Sequence, residues 1–179
     1  MITLDLPDTG AVKQAVYLPA LRPFLLRARR AVALGGQVSV LLTSDKEIRR
    51  LNRIYRGKDK ATDVLSFPAA ALPEKNVSAR GAIDTQRSAQ PTIAGDLAIS
   101  VDTATRQAKQ FGHPLQIELK ILLLHGLLHL AGFDHETDAG EMASREDQLR
   151  RRFRLPTALI ARSTADSPAV LAPRSGGRR

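Results

Sequence analysis

The stretch from Leu115 to Ala131 constrains this chain more than any other. It reads as one apolar, otherwise aliphatic helix. Two of the chain's four histidines, His125 and His129, stand near its end. They are one helical turn apart, so their rings leave the same face. Gly132 can end the helix in a left-handed turn and bring the chain back. His135 then closes a three-nitrogen site. Burying imidazoles among leucines costs free energy unless each finds a partner, and one metal ion satisfies all three. Three neutral nitrogens with an open fourth position are the layout of a catalytic zinc. Nickel, copper or iron can also take such ligands. His113 precedes the helix at its far end and is not expected to be a ligand.

Two neighbours of the histidines refine the chemistry. Gly126 stands where the zinc proteases carry a glutamate as general base. No methionine turn follows either, since Met142 falls in a polar helix. Peptide hydrolysis by that route is disfavoured. RNA cleavage asks less of a base, because a ribose 2′-hydroxyl can itself attack. On this reading Gly126 leaves room for a phosphodiester over the helix; the competing reading is a helix-packing glycine. Asp134, beside the third ligand, either accepts a ligand N–H from behind or caps the turn.

The rest of the chain alternates short strands and helices. Ile2–Leu6, Gln37–Thr43, Asp63–Phe67 and Gly95–Ser100 read as strands. Leu18–Leu34, Asp45–Tyr55, Val101–Phe111 and Ala139–Phe153 read as helices, the second opened by a Ser44–Glu47 capping box. The expected fold is a single α+β layered domain: a small mixed four-stranded sheet packed by helices, with the metal site on the long apolar helix and the turn after it. The domain spans 1–155. Residues 69–93, rich in Ala, Ser, Pro and Gln, read as an insertion loop, and 156–179 as a basic disordered tail.

Composition narrows the class. The chain has no cysteine, which excludes disulfides, thiolate metal sites and a cysteine nucleophile. Its N-terminus lacks the pattern of a signal peptide, and its longest apolar stretch is too short to span a bilayer, so a soluble, cytoplasmic protein is expected. Net charge is +9, of which the tail past 155 holds +3, so the body itself is basic. That favours a polyanionic partner, most commonly nucleic acid.

Chemistry-bearing residues outside the histidine motif are few. Arg56 opens a loop with Lys58 and Lys60. An arginine there can hold a phosphate bidentately and stabilise a phosphoryl transition state. Ser66 and Ser100 end strands, where hydroxyl or backbone groups can line a substrate groove. Thr62-Asp63 either caps a turn or meets substrate, and Asp96 is either a turn residue or an acid behind the ligands.

Three blocks together resemble the YbeY family of rRNA maturation factors, metal-dependent single-strand endoribonucleases. They are Leu51–Pro68, Gly95–Ser100, and the histidine motif, which in the family reads H-G-x-L-H-L-x-G-x-D-H. The resemblance covers about residues 1–153 and implies one zinc per chain on His125, His129 and His135, at the floor of a basic groove. It places the family's arginine on Arg56, as a catalytic residue. It implies processing of ribosomal RNA, notably the small-subunit 3′ end, and a part in ribosome quality control. The expected partners are ribosomal RNA and the small ribosomal subunit, with the protein itself a monomer away from membranes. The alternative is a ribosome-assembly factor that binds RNA and uses its metal largely for structure.

Overall fold

In a computed structural model the described residues are 2–5, 18–69 and 92–156. The element order is β1 (Ile2–Asp5), α1 (Leu18–Ala31), β2 (Gln37–Thr43), α2 (Asp45–Arg56), β3 (Val64–Pro68), β4 (Ile93–Ser100), α3 (Val101–Gln110), α4 (Leu115–Leu130) and α5 (Glu141–Phe153). The fold is α+β. The strands form one mixed sheet in the order β1-β2-β4-β3. β1 and β4 both run parallel to β2, while β3 pairs antiparallel with β4 and forms an edge. The expected insertion loop and basic tail fall almost wholly on 70–91 and 157–179, outside the described residues.

Helix α4 is the hub, as its all-round apolarity requires. Eleven of its residues are buried, among them Leu122, Leu123, Leu124, Leu127 and Leu128. They pack with Leu21, Phe24 and Leu25 of α1, Val38 and Val40 of β2, and Leu97 and Ile99 of β4. Alternation along β4 sends Ala98 to the opposite face, where it meets Ile48 of α2 and Leu65 of β3. The sheet therefore lies between α4 and α2, and β3 forms the edge that both helices approach.

Several boundaries differ from the sequence reading for local reasons. β4 starts at Ile93 rather than Gly95, because Gln37 pairs with Ile93 across a register shift. Gly95 then takes φ +143, and a Cβ there would meet the Phe67 carbonyl oxygen at 2.4 Å, so only glycine fits. Helix α1 ends at Ala31, since Ala33 adopts a left-handed conformation. The capping box of α2 is half made. The Glu47 N–H donates to Ser44 Oγ at 3.4 Å, but the Glu47 carboxylate turns to Arg50.

Candidate metal centre

The last turns of α4 place the first two histidines and a glycine turn places the third. Gly132 has φ +92, its N–H donates to the His129 carbonyl at 3.0 Å, and the Phe133 N–H donates to the Leu128 carbonyl at 3.1 Å. This is a Schellman ending, and it returns the chain toward the helix face it has just left. The next turn is fixed by Asp134, whose carboxylate accepts from the Glu136 N–H at 3.1 Å and from Thr137 Oγ1 at 3.0 Å. These bonds hold the Asp134 carboxyl below the usual carboxylate range.

The three imidazoles meet. Their ring centroids are 4.8, 5.3 and 5.2 Å apart, and one nitrogen from each lies within 4.8 Å of the other two. His125 Nε2 and His129 Nε2 are 3.1 Å apart, about the span of two ligands in a tetrahedral site with bonds of roughly 2.0–2.1 Å. Burial, together with the neighbouring His125 and His135, pushes the His129 pKa down to about 4. At neutral pH its lone pair is therefore available to a cation. Behind His125, its Nδ1–H donates to Glu146 Oε1 at 3.3 Å, with both side chains buried. A carboxylate can only accept, so it fixes the tautomer that turns a bare Nε2 inward. A nitrogen-only donor set with a carboxylate behind one ring fits zinc.

The triad opens into a cavity of about 510 Å³. His125, His129 and His135 line it, and so do the exposed Arg56, Lys58 and Lys60, which form a basic rim. The rim is held by two contacts. Asn52, buried in α2, donates from Nδ2 to the Lys60 carbonyl at 2.8 Å. Arg56 Nη2 donates to the Ser66 carbonyl at 3.1 Å. That bond engages one of the guanidinium's five N–H donors and aims it over the β3 edge. Ser66 itself is buried between rim and helix, its Oγ 3.5 Å from the Gly126 carbonyl.

Other sequence expectations land elsewhere. Ser100 does not line the cavity. It is fully buried, caps α3 by accepting from the Thr103 N–H, and donates to Asp45. Asp96 is exposed on the sheet face away from the histidines, beside Tyr55 and Phe67. It is neither a turn residue nor an acid behind the ligands. Of the two roles open to Asp134, its carboxylate is committed to the turn. Thr62 and Asp63 do line the cavity, but the Asp63 carboxylate is engaged within the fold, accepting from the Val64 N–H at 2.8 Å and from Gln107 Nε2 at 3.0 Å. His113 stands apart from the triad, 2.9 Å from Glu118.

Gly126 needs the largest revision. A Cβ there would meet Leu97 Cδ2 at 2.8 Å and Ser66 Oγ at 3.4 Å. The residue faces the sheet, not the cavity, so it is the packing glycine of the two readings and leaves no room for a carboxylate base. Two residues of the site were missed altogether, Glu146 and Asn52. Neither belongs to a spacing pattern. Their only signal is a polar residue at a core-facing helical position.

Comparison with known proteins agrees with this geometry. A family model described as Endoribonuclease YbeY matches residues 19–154. A protein named Endoribonuclease YbeY from Koribacter versatilis is 48% identical over 164 residues, 92% of each chain. Another of that name from Helicobacter pylori is 39% identical over 78% of this chain and 89% of its own. Among solved structures, the solution structure of TM1509 from Thermotoga maritima matches at a TM-score of 0.51 and 26% identity, covering 96% of this chain and 100% of that one. The chain belongs to the YbeY endoribonuclease family.

Proposed function

We propose that this chain is a zinc-dependent endoribonuclease that cuts single-stranded RNA during ribosomal RNA maturation, at the small-subunit 3′ end, and in ribosome quality control. It acts as a cytoplasmic monomer on the small ribosomal subunit. No helix among the described residues is long and apolar enough to cross a membrane. The observation that carries the reading is the shared cavity, which three converging imidazoles line together with one arginine and two lysines.

His125, His129 and His135 would hold the zinc, which when bound supplies Lewis acidity toward a phosphodiester oxygen. The protein's own groups do the rest. Arg56, braced by the Ser66 carbonyl, presents its remaining N–H donors to a phosphate and stabilises charge developing on it. Lys58 and Lys60 bring the strand to the rim by the salt-sensitive backbone term. Glu146 keeps His125 in the tautomer that binds metal. With no base beside His125, a substrate carrying its own nucleophile in the ribose 2′-hydroxyl suits this site better than a peptide.

The test compares single-stranded and duplex RNA with zinc-loaded and chelator-stripped protein. Cleavage is expected only of single strands and only with metal. Arg56→Glu should lower cleavage by about 10²–10³-fold with zinc content and Tm unchanged. Binding without cleavage by the zinc-loaded protein would instead support an assembly factor with a structural metal.

A further inference from the structure

We infer that a second RNA-backbone site lies on the α1–α5 face, away from the histidine cavity, and anchors the strand whose scissile region enters that cavity. The inference rests on the reading of the substrate as RNA. Its starting point is an uncompensated charge. Residues 18 to 36 contain no aspartate or glutamate. Helix α1 buries Leu21, Phe24, Leu25 and Ala28, which leaves Arg22, Arg27 and Arg30 exposed.

Helix α5 adds to the same face. It is tied to α1 at both ends: Phe153 meets Phe24 edge-on at 5.3 Å, and Arg145 Nη2 donates to the Ala31 carbonyl at 2.7 Å. Exposed Arg152 and Arg154 flank Phe153 in the chain, and Lys120 Nζ lies 5.9 Å over the Phe24 ring. The three acids of α5 do not balance this charge. Glu146 is buried against His125, Asp147 is engaged by Arg150 and Arg151, and Glu141 stands in the first turn, about three turns from Phe153. Among the described residues no ion pair involves Arg22, Arg27, Arg30, Arg152 or Arg154.

Such clustering opposes folding through self-repulsion, and no ion pair among the described residues offsets it. Arginine forks match phosphate geometry. An interface with another protein would want an apolar centre, yet among the described residues Leu26 is the one large apolar side chain exposed on these two helices. None of these cations lines the cavity. α5 touches His125 at Glu146 and reaches Phe153 about two turns later, so the Phe153 end of the patch lies on the order of 10 Å along α5 from that contact. A strand long enough to leave the cavity would have to run on to reach it, so the anchor should serve long RNA and not short.

The experiment uses the full chain with Arg22→Glu/Arg27→Glu/Arg30→Glu, and the milder Arg22→Gln/Arg27→Gln/Arg30→Gln as a variant that adds no new charge. Cleavage of an oligonucleotide of about 6 nucleotides is compared with one of about 30. For the long RNA, KM should rise about tenfold in the glutamate variant and less in the glutamine one, with kcat unchanged. The short RNA should be cut as by the wild type. The slope of log affinity against log salt for the long RNA should become shallower by about 2, three single-strand contacts at roughly 0.7 each. Unchanged KM and salt slope in both variants would overturn the anchor and leave the face to an acidic protein. The ribonuclease reading fails separately, if the wild type cuts neither RNA; the salt slope from filter binding then still decides the anchor. Should the glutamate variant not fold, the glutamine variant carries the same comparison.

Discussion

Helix α4 has imidazoles at both ends, and the two ends do opposite things. Before its first turn, His113 Nε2 lies 2.9 Å from the fully buried carboxylate of Glu118. That histidine has a carboxyl partner within the chain, and the pair clips the α3–α4 connection to the core. At the other end, His125 and His129 in its last turns and His135 beyond it turn nitrogens toward one another, 3.1 Å apart for the first two. Lone pairs facing lone pairs stabilise nothing unless a cation stands between them. Buried histidine alone therefore says little about function. What its nitrogens face separates a clip from a ligand.

Deleting one histidine from each end should break the comparison most visibly. His129→Ala should drop zinc well below one per chain. It should also remove the stabilisation that bound metal gives, about 3–4 kcal/mol at zinc concentrations roughly 100–1,000 times Kd. For a chain of this size that is a fall in Tm of about 5–15 °C. His113→Ala should leave zinc content intact and cost about 1–3 kcal/mol, by taking one partner from a fully buried carboxylate. Metal analysis and melting curves on both variants check this. Loss of zinc in the His113 variant would erase the distinction.

Acid probes the triad end in a second way. In metal-free protein the His129 pKa lies near 4, against an ordinary value of 6.5. As pH falls below 6.5 the unfolded chain takes up a proton that the folded one refuses. This group's contribution to stability therefore declines through the window from 6.5 to about 4, and is constant above it and below it. Urea midpoints across that range, with chelator present, should fall for the wild type and flatten in His129→Ala. Equal slopes would mean that His129 is not desolvated as the structure has it.

Glu146 should mark the functional end a third way. If it fixes the His125 tautomer, Glu146→Gln should weaken zinc by about tenfold and Glu146→Leu by about a hundredfold. Competition with a chromogenic chelator measures both. Identical affinities would make Glu146 a second structural clip like Glu118.

The sequence exposed the triad because its geometry is nearly all local. An i, i+4 pair and a left-handed glycine need no knowledge of the rest of the fold. Arg56 could be singled out as a cation opening a loop, but its place in the cavity with the histidines depends on β3 pairing antiparallel beside β4, which no local signal encodes. Glu146 lies 21 residues past His125, in a helix full of charges, and only the packing of α5 on α4 selects it. Ser100 shows the converse failure. A serine at a strand end looks like a groove residue, yet the same serine opens a helix and its hydroxyl goes to the cap. The direction of Gly126 was available from helix geometry, since one residue past His125 is about 100° around the axis from the ligand face.

That last point gives the smallest and sharpest test. Gly126→Ala gains helix propensity of up to about 1 kcal/mol. Against this, the new methyl would stand 2.8 and 3.1 Å from the two Leu97 methyls. Leu97 is 1% exposed, so its side chain cannot simply swing away. Overpacking of this kind costs about 1–3 kcal/mol. The net should be a loss of about 1 kcal/mol, a Tm lower by roughly 2–4 °C, with zinc and cleavage retained. A smaller neighbour should recover the loss, so Leu97→Val should cost less in the Gly126→Ala background than in the wild type. A coupling of at least about 0.5 kcal/mol in that cycle is expected of residues in contact. Two other outcomes are distinct from it. No coupling would mean that α4 and β4 relax apart at this point. A Gly126→Ala protein that melts like the wild type but cuts RNA poorly would return the glycine to the substrate side, and the histidine end of α4 would then face its ligand over a wider arc than the structure gives it.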